Sequence, residues 1–311
     1  DASDENRFIA IKDKKYGLID DKGEVLVPFE YESINILYPE FYSVEIKSKS
    51  FSILKVGDRL LNCGVSNLII PLFTNDYTNS IYYYPYVAIL STSGTYDVFS
   101  LKENKYLIKG NRYIPMNQTA NSNLDLIPFI SDSINGYYNI VENKFLKLSR
   151  NYIYMEYPYR GNCVIAEKNN EDKILYGVLN LQGQEILPFK YKYISNYCNG
   201  YAKVANDNNN YTFLDQDGIF ISPFKYDYVQ YFSKLEVTIV GQANKRGLIN
   251  SNGEIILPIE YDNLVSFNNG ELYYTRVNDA SYKVFNYKGE LLTILTTTDP
   301  LFNLNVKLLF K

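Results

Sequence analysis

The sequence predicts an all-β protein built from about eight tandem antiparallel β-meanders of three to four strands each, and three observations carry that expectation. First, the phrase "YGLIDDKGEVLVPFEY" at 16–31 returns as "YGVLNLQGQEILPFKY" at 176–191. Second, a Pro-x-x-Tyr signature occurs at Pro28–Tyr31, Pro188–Tyr191, Pro223–Tyr226 and Pro258–Tyr261, each Pro twelve residues after an anchor at Tyr16, Tyr176, Tyr211 or Arg246. Third, 32 Tyr and 17 Phe among 311 residues favour strands over helices. A fixed period of this kind is the mark of a repeat architecture.

The elements follow in order along one repeat. A strand precedes each anchor, as in "RFIAIKDK" and "FYSVEIKSK", and in the second Val44 and Ile46 alternate with Glu45 and Lys47. The anchor opens a second strand that ends at Asp20, Asn180, Asp215, Asn250 or Asn286, and three residues later stands Gly23, Gly183, Gly218, Gly253 or Gly289. A type I turn places Asp or Asn first, where the side chain accepts a backbone N–H, and Gly fourth, where left-handed geometry costs little. Calcium loops are the competing reading of "DDKG" and "DQDG", but Asn replaces Asp in three copies and too few carboxylates converge. After the corner Val25, Val27, Phe29 and Tyr31 alternate with Glu24, Leu26, Pro28 and Glu30, and Ile255, Leu257, Ile259 and Tyr261 repeat the pattern, so the first set is expected on one buried face. Pro donates no N–H to a ladder, so pairing is expected to stop or bulge there.

Weaker copies are placed at Phe51, Tyr96 and Tyr137, which have lost the turn glycine, and Tyr282 completes a set of eight anchors. Residues 1–6 read as an N-terminal tether and 7–311 as one repeat domain, its middle repeats divergent over about 51–150. Eight units suit a closed, β-propeller-like ring; the 35-residue period is lean for a four-stranded blade, so an open twisted superhelix is the alternative. The tail "LFNLNVKLLFK" is a spare strand, available to cover an edge or latch a ring.

With these motifs on the page, the chain resembles the bacterial WG-repeat family, in which an aromatic-Gly pair, a short strand, an Asp/Asn-x-x-Gly turn and a Pro-x-x-Tyr segment recur. The match is good at 16–34, 176–194, 211–229 and 246–264, partial at 282–294 and weak across 51–150. There is no Trp: the eponymous pair reads Tyr16-Gly17, Tyr176-Gly177, Tyr211-Thr212 and Arg246-Gly247. The resemblance implies a β-rich scaffold, often in exported or surface proteins, and supplies no catalytic residues.

Composition narrows the chemistry. A net charge of -4 and pI near 5.2 argue against nucleic acid or an anionic membrane as partner, and no apolar run is long enough to span a bilayer. Without histidine, Ser-His-Asp and Cys-His nucleophiles and histidine metal sites are excluded, and no glycine-rich phosphate loop occurs. Cys63, Cys163 and Cys198 are too few for a disulfide framework and read as buried small hydrophobes. No cofactor or metal is expected. Asp125, Asp132, Glu142 and Glu156 in the divergent middle keep open a hydrolase that works on carbohydrate with paired carboxylates.

The favoured expectation is a non-enzymatic scaffold holding a protein or glycan, with a structural component of a surface assembly as a further alternative. Its candidate contacts are two tyrosine clusters: Tyr82, Tyr83, Tyr84 and Tyr86, then Tyr152, Tyr154, Tyr157, Tyr159 and Arg160. Rigid amphipathic rings give contact area at small entropic cost. The acidic start "DASDEN" suits a tether behind a removed signal or a lipidated cysteine, which favours an extracytoplasmic location, and suits a trimmed cytoplasmic chain nearly as well.

Overall fold

A computed structural model describes residues 6–296 apart from 48–49, 57–60, 62–65, 67, 76–80, 92, 113–124, 151 and 279, with backbone alone at 73–75 and 81–84. The tail from 297 onward, most of the tether and Cys63 lie outside the described residues. The chain divides into two compact units, Asp1–Pro158 and Tyr159–Lys311. Among the described residues every regular element is a strand except one 3-10 turn at Asn268–Gly270.

Among the described residues eight antiparallel sheets follow one another in chain order. A full repeat runs through a leading, a second, an anchor and a closing strand; in the seventh these are Tyr228–Val229, Val237–Gln242, Lys245–Asn250 and Ile255–Tyr261. All eight predicted anchors fall on the anchor strand of their own sheet, including Phe51 in Ser50–Lys55, Tyr96 in Tyr96–Ser100 and Tyr137 in Asn135–Asn139.

The core lies between consecutive sheets, because a lone meander has two faces and no means of burying either. Leu18, Val27 and Tyr31 of the first sheet meet Ile34, Tyr42, Val44 and Leu54 of the second. In the same way Val237, Leu248 and Leu257 meet Tyr273 and Phe285 of the eighth, while Ile249, on the opposite face of the same anchor strand, packs with Phe213 and Tyr226 of the sixth. Each fully buried side chain of this size contributes about 1.5–3 kcal/mol, and it does so only with the neighbouring sheet in place.

The glycine corners form as expected. In all five the first-position side chain accepts backbone N–H groups two and four residues on, at 2.7–3.0 Å. The Asp20 and Asp215 oxygens used in this way serve their own turns. Divergent repeats keep the corner without glycine: Asn104 and Asn143 take the left-handed conformation, with φ of 50° and 53°, which Asn tolerates better than most residues.

The corner glycines also join repeats. A Cβ on Gly253 would lie 2.3 Å from the Ile221 carbonyl oxygen of the preceding repeat, and one on Gly218 would lie 2.7 Å from Ile186 Cγ2. Gly289 sits likewise, 2.6 Å from the Ile256 carbonyl oxygen by the same measure.

The closing strand corrects one expectation. Val27, Leu187 and Leu257 are buried, but Val25 and Ile255 are exposed. Pairing steps from Leu18–Val27 to Ile19–Val25, so Leu26 is an extra residue and turns Val25 to the face opposite Val27; the fifth and seventh repeats bulge identically. A second irregularity, between the Leu18–Val27 and Tyr16–Tyr31 pairs, spans Pro28. Here the glycine of the aromatic-Gly pair finds its role, since a Cβ on Gly17 would meet the Val27 carbonyl oxygen at 2.7 Å and the Phe29 ring at 3.0 Å. The sixth repeat has buried Thr212 there, its hydroxyl donating to the Ser222 carbonyl at 2.6 Å. Its closing strand is reduced to two isolated bridges, Leu214–Phe220 and Tyr211–Tyr226.

Tyr226 is fully buried and its hydroxyl has no hydrogen-bond partner among the described residues. An unsatisfied buried hydroxyl is costly, so Tyr226→Phe is expected to leave stability unchanged or raise it by up to about 1–3 kcal/mol. Urea unfolding checks this, and a loss above 1 kcal/mol would mean that the hydroxyl has a partner in solution.

Candidate functional site

The two tyrosine runs occupy different surroundings. In the second, Tyr152, Tyr157 and Tyr159 are buried, which corrects their place as surface contacts: they are core. Tyr159 stacks on Tyr197 at 5.2 Å with planes 10° apart. Tyr154 is half-buried. Arg160 is the exposed member, held by a left-handed turn with φ of 49° and donating to Gln216 Oε1 at 2.6 Å.

This run also encloses a carboxyl. Glu156 is 5% exposed, receives hydrogen bonds from the Tyr154 hydroxyl and the Tyr157 N–H, and has its own carbonyl engaged by the Tyr137 hydroxyl at 2.9 Å. Burial pushes its pKa up to about 7, against the smaller lowering from those donors. Such a pKa suits a general acid, but an enclosed carboxyl with occupied oxygens meets no substrate. Of the other acids read from the sequence, Asp132 is paired with Arg112, Glu142 with Lys144, and Asp125 is exposed. Among the described residues no three of His, Cys, Asp and Glu converge as a metal site would require. Cys163 and Cys198 are buried and form no disulfide among the described residues.

In the first run, the side chains of Tyr82, Tyr83 and Tyr84 lie outside the described residues, although their backbone belongs to the strand Ile81–Leu90. Tyr86, half-buried on that strand, pairs with Ser100 at the start of the corner Leu101–Asn104. Burial raises its pKa first, Asp125 and Glu103 raise it further, Lys102 lowers it, and Tyr38 adds a small rise. The Lys102 ammonium sits 5.3 Å above the Tyr38 ring. Glu103 pairs with Lys105 at 2.5 Å, and Lys105 in turn bears on Tyr138, whose hydroxyl donates to Asn143. Nearby on the closing strand, Lys109 lies 4.2 Å from the Tyr106 ring centre. The result is a set of tyrosine rings with charges of both signs gathered about the Leu101–Asn104 corner.

Sequence reasoning found Tyr86 and missed its neighbours. The available signal for Lys102 and Glu103 is the Leu-Lys-Glu-Asn-Lys run at 101–105, where charges crowd into a turn after a tyrosine-rich strand.

This architecture defines the class: a tandem β-repeat protein. The family model described as "WG containing repeat" matches residues 16–49, 176–209, 211–245 and 247–279, and over those stretches the chain is similar to WG repeats. No curated protein matches the chain in sequence. Among solved structures it is similar to Hsv2p of Kluyveromyces lactis, at 12% identity and TM-score 0.38 over 70% of this chain and 74% of that one. BamB of Moraxella catarrhalis gives 11% and 0.35 over 93% and 87%, and AztD of Citrobacter koseri 12% and 0.32 over 95% and 82%. Likenesses this distant carry no inference about function.

Proposed function

We propose that the protein is a non-enzymatic binding scaffold that holds a protein or glycan partner at the corner beside Tyr86. The observation that carries this reading is the Tyr86 surround itself, where half-buried rings are set beside Lys102, Glu103 and Asp125. Rings held in place by a sheet offer apolar contact with little ordering cost, and adjacent charges of both signs supply directional hydrogen bonds. The resemblance of the repeats to those of exported and surface proteins supports an extracytoplasmic, bacterial setting for this binding.

The test compares the wild-type chain with Tyr86→Ala/Lys102→Ala on a glycan array and in pull-downs from bacterial envelope. Loss of anchor residues at the centre of a contact is expected to weaken capture about 30-fold. Equal capture by a variant with unchanged circular dichroism and melting temperature would remove this corner from consideration.

A further inference from the structure

The sixth repeat places a charge where the other repeats have none. Opposite the second residue after each anchor, the neighbouring strand carries Ala88, Leu126, Val164 and Ile239 in the third, fourth, fifth and seventh repeats, all buried. In the sixth repeat this pair is Lys203 with Phe213, and none of the other seven has a charged residue at that register. Directly opposed residues share one face of a sheet, so Lys203 lies on the face of Phe213, which packs with Phe232, Val240 and Ile249 of the seventh repeat.

The Lys203 ammonium sits 3.6 Å above the ring centre of Tyr231, a seventh-repeat tyrosine that is 40% exposed. That ring is held by its chain neighbours. Buried Thr238 donates to the Gln230 and Tyr231 carbonyls at 3.1 and 3.2 Å, and Phe232 is packed against Tyr201 and Phe213. The Tyr231 hydroxyl donates to Asn196 Oδ1 at 3.4 Å, and Asn196 follows buried Ser195, whose hydroxyl accepts the Lys203 N–H at 2.9 Å. An ammonium, a phenol ring and a primary amide from two adjacent repeats are thus fixed together.

Lys203 has no ion pair among the described residues. Burial holds its pKa below the usual lysine value, against a smaller rise from Cys198, and no carboxylate takes part. A half-buried cation without a counter-ion costs stability that a hydrophobe at this register would not. Residues that break the local pattern in this way mark sites where binding needs them.

We propose that Lys203, Tyr231 and Asn196 form a binding site for a uronic-acid sugar, whose carboxylate pairs with the Lys203 ammonium. One unpaired cation suits one negative charge, whereas a phosphate or a run of acidic side chains brings more charge than it can match. The exposed phenol ring offers an apolar surface to the C–H face of a pyranose, and an amide both donates to and accepts from its hydroxyls. The site belongs to the Tyr159–Lys311 unit and is independent of the reading of Tyr86.

NMR titration of the full chain with sodium glucuronate, and with glucose as its neutral counterpart, tests this in the wild type and in Lys203→Met and Lys203→Arg. Glucuronate is expected to shift the Tyr231 and Asn196 signals saturably and to bind at least about tenfold more tightly than glucose. Lys203→Arg keeps that preference and Lys203→Met loses it. Because other repeats bury hydrophobes at this register, Lys203→Met is expected to melt at or above the wild-type temperature. The absence of a saturable shift in the wild type overturns the proposal, and a lower melting temperature for Lys203→Met would then assign the lysine to holding Tyr231 in place. Equal binding of glucuronate and glucose, or glucuronate binding unchanged in Lys203→Met, overturns it as well. Tighter binding of a polyglutamate peptide than of glucuronate also overturns it, in favour of an acidic protein segment.

Discussion

Gly253→Ala is expected to destabilise the Tyr159–Lys311 unit by about 2–5 kcal/mol, whereas Gly23→Ala costs the first unit only about 1–2 kcal/mol. The two glycines hold the same place in the signature and share a left-handed backbone, with φ of 78° and 85°. Both substitutions therefore carry the left-handed strain of an L-residue. Only Gly253 adds a collision, because its new Cβ would stand 2.3 Å from the Ile221 carbonyl oxygen, whereas Gly23 has open space within 4 Å. Backbone cannot swing aside as a flexible side chain can, so the neighbouring repeats must separate. Urea unfolding of the two variants measures the difference, and equal losses would show that the corner glycine serves its own turn and nothing more.

Glu156→Gln is expected to leave stability unchanged near pH 4 and to raise it by about 3 kcal/mol at pH 8. Burial lifts the folded-state pKa of Glu156 from 4.5 to about 7. The unfolded chain thus ionises first as pH rises, the folded state binds the extra proton, and stability falls between about pH 4.5 and 7 before levelling off. Glutamine keeps an oxygen for the Tyr154 hydroxyl and the Tyr157 N–H and never ionises. Wild type should therefore lose stability across that window while the variant stays flat in the contribution from this site. Parallel pH profiles would show that water reaches the carboxyl.

Much of the fold was legible because it depends on short-range chemistry. The Asp/Asn-x-x-Gly corners are determined by one side-chain acceptor and one left-handed residue, and all eight anchors landed on equivalent strands even where glycine had gone. The outward turn of Val25 was not legible, since it results from a bulge at Leu26 that shifts pairing by one residue and leaves no mark in the pattern of hydrophobic residues. Nor was the burial of Tyr152, Tyr157 and Tyr159, for a tyrosine reads alike at a wet edge and in a core until the neighbouring sheet is placed. The site around Tyr86 was half legible: the rings stood out, but the charges that give them directional partners arrive from a corner fifteen or so residues away in sequence.

Thr212 has a mechanical consequence. In an array whose junctions are equally strong, heat or force acts on all of them together; one loose junction decides where the array opens. The segment Phe220–Ser222, joined to its anchor strand by one isolated bridge, the Ile221 N–H and the Thr212 hydroxyl, is also the ledge on which the Gly253 corner rests. With the shortest closing ladder of its unit, the sixth repeat is where a protease, or a pull on the chain, is expected to enter first.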